Sequence, residues 1–199
     1  MIAPVGPTGC EDAAHGAYFV GASGGAMRTH IEFDEGTFEL TEQAVTVFAG
    51  YSAPSGWSYR GSLGVIVDGS IDDHDMTPGG VGAAGISRQW VVGRFFITGS
   101  ASASVAIASA NDERFTAGDF RIGAIAGRTF GIVSPYVLAR GFGGPVWWTV
   151  DGTSTVGSDT RHFQLGAGLS VTTPFGLTIV VDVSALGEQA ASLGASWRL

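Results

Sequence analysis

The amino-acid sequence predicts an all-β fold: an antiparallel transmembrane β-barrel of about ten strands, with eight as the alternative count. Three observations predict it. The 199 residues are 45% hydrophobic and only 14% charged, against about 25% charged residues in ordinary soluble domains. Many segments alternate large apolar residues with Gly, Ser and Thr, which is the period of a β-strand. Short turns and longer polar connections also alternate along the chain, as they do in barrels that span membranes.

The composition argues against several other classes of protein. Disordered chains carry few apolar residues and many charges, which is the reverse of this composition. A single cysteine, Cys10, excludes a disulfide scaffold and a cysteine-based zinc site. The net charge of −8 without a basic run argues against a nucleic-acid partner. No apolar run reaches the roughly 18 residues of a transmembrane helix. The first residues lack the regions of a signal peptide, so we expect a mature form without one.

We expect residues 1–15 to form an N-terminal tail and residues 16–199 to form one barrel domain. Turn-forming residues predict short turns at 54–56, 92–94, 129–131 and 173–176, and longer polar loops near 31–41, 69–80, 109–117, 144–160 and 186–190. The strands between them are predicted near 16–30, 42–53, 57–68, 81–92, 95–108, 118–128, 133–143, 161–173, 177–185 and 190–199.

Alternation within the strands predicts which residues face lipid, because successive side chains point to opposite faces of a sheet. We expect the large apolar residues to face lipid, among them Leu63, Val65, Leu165, Leu169, Ile179 and Val181. The other face is rich in Gly, Ser and Thr, which suit a narrow lumen; it includes Ser62, Gln164, Ser170 and Asp182. A soluble sandwich or barrel, the alternative, would carry more charged residues on its wet face.

Two arginines conflict with this alternation. Arg28 and Arg88 fall on the predicted lipid faces of their strands. An arginine that faces lipid at the middle of a membrane costs about 2–4 kcal/mol. We therefore expect these strands to be bulged, shifted by one residue, or longer than the membrane is thick.

Aromatic residues collect beside the predicted short turns. Membrane barrels carry girdles of aromatic residues at their two interfaces with water. We therefore predict a girdle at the short-turn end, formed by Tyr51, Trp57, Tyr59, Trp90, Tyr136 and Trp197. In a soluble sandwich the same residues would belong to the core.

The last residues of the chain carry a recognisable pattern. From Ser192 to Leu199 the order is polar, any, Gly, any, any, aromatic, any, apolar. This resembles the C-terminal β-signal of bacterial outer-membrane proteins, with Ser192, Gly194, Trp197 and Leu199 at its defining positions. The usual terminal residue of that signal is Phe, so Leu199 is a departure. The resemblance implies a small outer-membrane β-barrel, located in a bacterial outer membrane, whose partners are outer-membrane lipid and the barrel-assembly machinery. We also expect a monomer.

Charged residues on the predicted inward faces are the candidate functional residues. They are Arg60, Asp68, Arg121, Arg140, Arg161 and Asp182. Inward charges either pair into a network that plugs a barrel or line a pore and set its ion selectivity. The sequence leaves both functions open, a structural barrel and a narrow channel for small solutes or ions.

No motif predicts catalysis, a metal site or a cofactor, so we expect a protein that is not an enzyme. The four histidines lack the spacing of a metal site, and no Gly-x-Ser-x-Gly elbow occurs. The acidic run from Asp72 to Asp75 lacks the later glutamate of an EF-hand, and we interpret it as a solvated loop. His162 and Asp159 lie near the predicted outer rim. A lipid-acting barrel enzyme therefore stays an alternative, as does a soluble ligand-binding barrel.

Overall fold

The computed structural model describes residues 16–34, 36–72, 74–110, 113–150 and 153–199. The predicted N-terminal tail, residues 1–15, lies outside these described residues. The strands are β1 Ala17–Phe33, β2 Gly36–Ser52, β3 Trp57–Ile71, β4 His74–Val92, β5 Phe95–Ala110, β6 Glu113–Arg128, β7 Val133–Gly143, β8 Pro145–Val150, β9 Thr153–Asp159, β10 Phe163–Thr172, β11 Leu177–Gly187 and β12 Gln189–Arg198. The described part of the chain contains no helix long and apolar enough to cross a membrane.

Ten strands close into an antiparallel barrel, which confirms the predicted fold class. Strands β1 to β7 pair in chain order, β7 then pairs with β10, and β10, β11 and β12 follow. The barrel closes where β12 pairs with β1, from Phe19 opposite Arg198 to Arg28 opposite Gln189. Closure leaves no free sheet edge in this section. A β-structure in a bilayer has to be closed in this way, because no water is present there to hydrogen-bond unpaired backbone groups.

The four predicted short turns lie at one end of the barrel, here called the short-turn end. Each contains a glycine with positive φ: Gly56 at 81°, Gly93 at 63°, Gly131 at 63° and Gly176 at 90°. Residues with a Cβ rarely adopt this conformation, so these glycines fix where each hairpin reverses. The opposite end, where β1 to β6 run past β11 and β12, is here called the extended end.

At the extended end the barrel changes from ten strands to eight. The pairing of β11 and β12 ends near Glu188, whereas the β8–β9 hairpin continues outward from β7 and β10. Strand β8 pairs with β6, with Trp148 opposite Phe115, and β9 pairs with β1, with Asp159 opposite Ile31. This section therefore consists of β1 to β6, β8 and β9.

An apolar core fills the eight-stranded section. Its buried members are Ile31, Phe33, Leu40, Ala44, Ile66, Ile71, Met76, Val81, Ala106, Ala108, Phe115, Val146 and Trp148. The polar loops predicted near 31–41, 69–80, 109–117 and 144–160 are therefore wrong, because most of those residues belong to strands. Many of their outward side chains are polar while their inward ones are apolar, and the polar half of the pattern dominated the prediction.

The outward face of the ten-stranded section carries an apolar band. The six residues expected to face lipid all point outward and are between 40% and 71% exposed. On β11 the band runs from Leu177 to Leu186. At about 3.3 Å per residue and a tilt of about 40°, its height is about 23 Å. Outer-membrane barrels have an apolar band of about 25 Å, so the dimensions agree.

The two arginines that conflicted with the alternation do point outward, but neither lies in the middle of the band. Arg28 lies beyond it at the extended end and forms an ion pair with Glu39. Arg88 lies at the short-turn end, with its guanidinium carbon 5.3 Å from the ring centres of both Trp57 and Trp90. The cost of an arginine at the membrane midplane therefore applies to neither residue.

Candidate functional site

The lumen is the candidate site, and its short-turn end contains a cavity of about 1040 Å³, here called the vestibule. Small hydroxyl-bearing residues on several strands line it, among them Ser62, Thr98, Ser100, Ser102, Thr178 and Ser196. Turn residues such as Gly56, Gly131 and Gly176 also line it, so its mouth lies at the short-turn end. Arg60 lines the vestibule as well, and its guanidinium carbon stacks 4.0 Å from the centre of the Phe48 ring.

A polar cluster centred on Asp182 lies in the middle of the lumen. Tyr136 donates a hydrogen bond from its Oη to Asp182 Oδ1. Arg140 Nη2 lies 3.6 Å from Asp182 Oδ2, and Arg140 Nη1 donates to Gln164 Oε1 at 3.1 Å. Asp182 is 3% exposed, and a buried carboxylate is tolerated only with such partners. The cluster links the neighbouring strands β7, β10 and β11 on one wall of the lumen.

A second cluster centres on Arg121 and lies nearer the extended end. Arg121 donates to both carboxylate oxygens of Glu188, at 2.6 and 2.8 Å, and its Nε donates to Asp119. The guanidinium carbon also lies 4.6 Å from the centre of the Phe142 ring. Two-point pairing of this kind is the strongest ion pair that an arginine makes with a carboxylate. It joins β6 to the turn between β11 and β12.

A partly buried carboxylate, Asp159, lies on β9 outside the ten-stranded section. Its Oδ1 accepts a hydrogen bond from Thr29 Oγ1 at 3.0 Å. Burial raises the pKa of Asp159 to about 6, and the nearby carboxylates of Glu188 and Asp119 add to the rise. The hydrogen bond from Thr29 and the charge of Arg121 oppose it. Asp159 therefore titrates near neutral pH, unlike an ordinary aspartate.

The structure brings four of the six predicted lumen residues inside the barrel. Arg60, Arg121, Arg140 and Asp182 point inward and take part in the contacts described above. A role for any of them in ion selectivity stays a prediction. Gln164 and Ser170, which were expected to face the lumen, are also buried inside it.

Asp68 was predicted to line the lumen, and this prediction is wrong. The pairing of β2 with β3 shifts between Gln43 and Ala44, so that Val67 is an extra residue on β3. Such a bulge reverses the inward and outward faces of the rest of the strand. Asp68 consequently points outward, is exposed, and accepts a hydrogen bond from Gln43 Nε2 at 3.2 Å.

Arg161 was also predicted to line the lumen, and it too lies elsewhere. It is an exposed residue in the break between β9 and β10, where its Nη1 donates to the carbonyl oxygen of Gly187 at 3.3 Å. Residues 160–162 belong to neither strand, so the alternation on which the prediction depended is interrupted there.

Five of the six residues predicted for the aromatic girdle lie where a girdle requires them, and their role at a membrane interface stays a prediction. Tyr51, Trp57, Tyr59, Trp90 and Trp197 point outward at the short-turn end. Tyr136 does not belong to the girdle, because it is 4% exposed and points into the lumen toward Asp182. Both faces of β7 carry large apolar residues, so alternation could not tell them apart. Tyr18 was missed: it is 66% exposed, and its ring centre lies 5.0 Å from that of Tyr51.

Sequence reasoning also missed half of the charged network. Glu188 was assigned to a loop near 186–190, and Asp159 to a loop near 144–160. Asp119 carried a usable signal, because it is two residues from Arg121 on the same predicted strand and so shares its face. In the acidic run, Asp72 lies in a turn and its Oδ1 accepts a hydrogen bond from the Glu39 backbone N–H, His74 and Asp75 belong to β4, and Asp73 is outside the described residues. No group of potential metal ligands occurs in the part of the chain that the structure describes.

No protein-family model matches the chain, and no curated protein matches it in sequence. Solved structures do match. An outer-membrane channel from Pseudomonas putida F1 matches with a TM-score of 0.57 at 10% identity, over 98% of this chain and 100% of that chain. The β domain of the Bordetella autotransporter Brka matches with a TM-score of 0.53 at 14% identity, over 92% and 98%. The translocator domain of the autotransporter NalP from Neisseria meningitidis matches with 0.50 at 14%, over 92% and 88%. The chain therefore has the fold of outer-membrane β-barrels, as its C-terminal resemblance implied.

Proposed function

We propose that this chain is an integral β-barrel of a bacterial outer membrane, and that it acts as a closed structural barrel rather than as a channel or an enzyme. The apolar core that fills the eight-stranded section carries the proposal of a closed lumen. The fold and the outward apolar band support the location. The short-turn end then faces the periplasm, as the short turns of outer-membrane barrels do.

The packing of the lumen supports closure. Ile66, Ile71 and Phe115 are 0% exposed, and the rest of the apolar core is at most 6% exposed. A hydrated ion could pass only by displacing such side chains, each of which gains about 1.5–3 kcal/mol from burial. On the short-turn side of the core, Arg121 and Arg140 form ion pairs with the carboxylates of Glu188 and Asp182. The vestibule is then a blind cavity that opens to the periplasm.

Conductance in a planar bilayer tests this proposal. We expect the inserted wild-type protein to give no conductance steps. A variant with Phe115→Ala and Trp148→Ala removes two large core side chains and should give measurable steps. The matched control is Phe120→Ala, on the same strand β6, because Phe120 points outward and is 55% exposed; it should stay silent. Steps from the wild-type protein would contradict the closed barrel.

That outcome would favour the narrow channel, the second candidate. Inward arginines in a narrow lumen of low dielectric act strongly on passing ions. In a channel, Arg60→Ser and Arg140→Ser should therefore raise the conductance and shift selectivity toward cations. In a closed barrel both variants should be as silent as the wild type, because the apolar core lies beyond them.

The remaining alternatives make different predictions. A soluble ligand-binding barrel would stay monomeric in buffer without detergent, whereas we expect aggregation there. The hypothesis of a lipid-acting enzyme came from His162 and Asp159 near the predicted outer rim. Asp159 accepts a hydrogen bond from Thr29, whereas His162 is exposed at the break between β9 and β10, and this arrangement supports the non-enzymatic proposal. Release of fatty acid from outer-membrane lipid by the purified wild type would contradict it.

A further inference from the structure

Charge is distributed unevenly along the axis of the barrel. The short-turn end comprises residues 16–20, 49–61, 87–99, 124–137, 168–181 and 193–199, and these segments contain no Asp or Glu. They contain five of the ten arginines, namely Arg60, Arg88, Arg94, Arg128 and Arg198. A chain whose net charge is −8 therefore has a cationic end.

Three of these arginines lie on one side of the barrel, on or between strands β4 to β6. Arg88 points outward from β4, Arg128 points outward from β6, and Arg94 lies in the turn between β4 and β5. The strands are neighbours, and Phe95 on β5 lies opposite Arg128. We name this surface the arginine–aromatic patch; it comprises Arg88, Arg94 and Arg128 with Trp57, Trp90, Phe95 and Phe130.

Two arginines of the patch are held in the same way, each against two aromatic rings. The guanidinium carbon of Arg88 lies 5.3 Å from the centres of both Trp57 and Trp90. That of Arg128 lies 5.1 Å from the centre of Phe95 and 4.9 Å from that of Phe130. Stacking on rings orients a planar guanidinium but leaves its N–H donors free for a further partner.

The Nε of Arg88 is buried and makes no hydrogen bond within the described part of the chain, and an unpaired buried donor costs about 1–3 kcal/mol. The segments of the short-turn end contain no Asp or Glu side chain that could pair with Arg88. The oxygens of a phosphodiester match the guanidinium fork and form charge-assisted hydrogen bonds with it.

We propose that the arginine–aromatic patch binds phosphate groups of anionic phospholipids in the leaflet at the short-turn end. This inference rests on the proposed membrane location. Aromatic girdles lie at the depth of the lipid headgroups, so the stacked arginines are at the level of the phosphates. The opposite side of the same end carries Tyr18, Tyr51 and Trp197 but, in the described chain, no outward-facing arginine. The lipid is therefore expected on one side of the barrel.

Tryptophan quenching by brominated lipids tests the proposal, because Trp57 and Trp90 are part of the patch. The protein is reconstituted in phosphatidylcholine vesicles that contain 20 mol% of either brominated phosphatidylglycerol or brominated phosphatidylcholine. We expect brominated phosphatidylglycerol to quench the wild type at least about twofold more, since cations near a membrane attract anionic lipid. Combined Arg88→Gln and Arg128→Gln should remove this excess. Arg114→Gln should keep it, because Arg114 is an exposed residue at the other end of β6.

The possible outcomes are distinguishable. Equal quenching of the wild type by the two lipids would contradict the patch and leave the membrane location standing. Quenching by neither would contradict both. If the double variant does not insert, Arg94→Gln, in an exposed turn, takes its place and should reduce the excess. An excess that is unchanged in these variants would assign the lipid preference to another surface and overturn the proposal.

Discussion

At the scale of single residues, the lumen contains two clusters in which buried charges are paired with opposite charges. Arg121 is the clearest case, because its side chain is 11% exposed and touches two carboxylates. Removing one partner of a buried pair leaves the other charge uncompensated, which costs more than the pair contributes when intact. The network thus makes the position of β6 and of the turn at Glu188 depend on each other.

Arg121→Ala should therefore lower the free energy of unfolding by about 3–5 kcal/mol. Glu188→Gln should cost less, because Arg121 keeps its contact with Asp119. Arg114→Ala is the matched control on the same strand, and its effect should be near zero because Arg114 is exposed. Urea unfolding in detergent micelles measures all three. Equal effects of Arg121→Ala and Arg114→Ala would show that the buried pair is not coupled to folding.

Asp159 should make stability depend on pH. Its pKa is about 6 in the folded protein, above the ordinary value of 3.8, so the folded state binds the proton more tightly. The resulting stabilisation is present below about pH 4 and is lost as the pH rises through 6, by at most about 3 kcal/mol. Asp159→Asn should abolish this decline. Unfolding midpoints between pH 4 and pH 8 test it, and parallel curves for wild type and variant would contradict the assignment.

At the scale of elements, the alternation of apolar and small residues predicted which side chains point outward only where the strand is regular. Leu63 and Val65 face outward as expected, whereas Asp68, beyond the extra residue Val67, does not. A similar irregularity on β11 leaves Ala185 unpaired between Ser184 and Leu186. A bulge adds one residue without a distinctive sequence, because the pairing that defines it involves a distant strand. Local patterns therefore could not locate these reversals.

The C-terminal strand is predicted to carry the assembly signal, and this role can be tested directly by mutation. Strand β12 forms the seam of the barrel with β1, and the Leu199 backbone N–H donates to the Tyr18 carbonyl oxygen at 2.9 Å. If this strand is the signal for the barrel-assembly machinery, Trp197→Ala, Gly194→Ala or deletion of Leu199 should slow insertion into outer membranes several-fold. Trp147→Ala is a matched control, since Trp147 and Trp197 are 42% and 44% exposed.

The measurement is the rate at which newly exported protein acquires the heat-modifiable mobility of a folded barrel. Normal rates for all three C-terminal variants would mean that the resemblance to the β-signal is accidental. Slow insertion of Trp147→Ala as well would point to aromatic anchoring in general rather than to the signal.

At the scale of the whole molecule, the same strands build two sections with opposite polarity. In the ten-stranded section apolar residues point outward and polar ones inward, as lipid requires. In the eight-stranded section apolar residues such as Phe115 and Ile71 point inward, and polar ones such as Asp68 point outward. The overall composition of the chain is a sum over both sections and does not distinguish them. The barrel itself could therefore be predicted from the sequence, whereas its extension was mistaken for loops.

This arrangement predicts a one-sided accessibility of the lumen, which labelling of single cysteines in a Cys10→Ser background can measure. Ser62 lines the vestibule. A membrane-impermeant maleimide should therefore reach the thiol of the Ser62→Cys variant only after the outer membrane of whole cells is permeabilised. Asp68→Cys, exposed at the extended end, should react from outside in intact cells. Val65→Cys should resist the maleimide and be quenched by a nitroxide lipid when it carries a fluorophore. Ser62 and Asp68 are six residues apart on β3, so in a regular strand they would point to the same face. A shift of the whole strand by one residue would move both of them to the other face, and it could not give this result. Labelling of Ser62→Cys in intact cells would instead mean that the apolar core does not close the lumen.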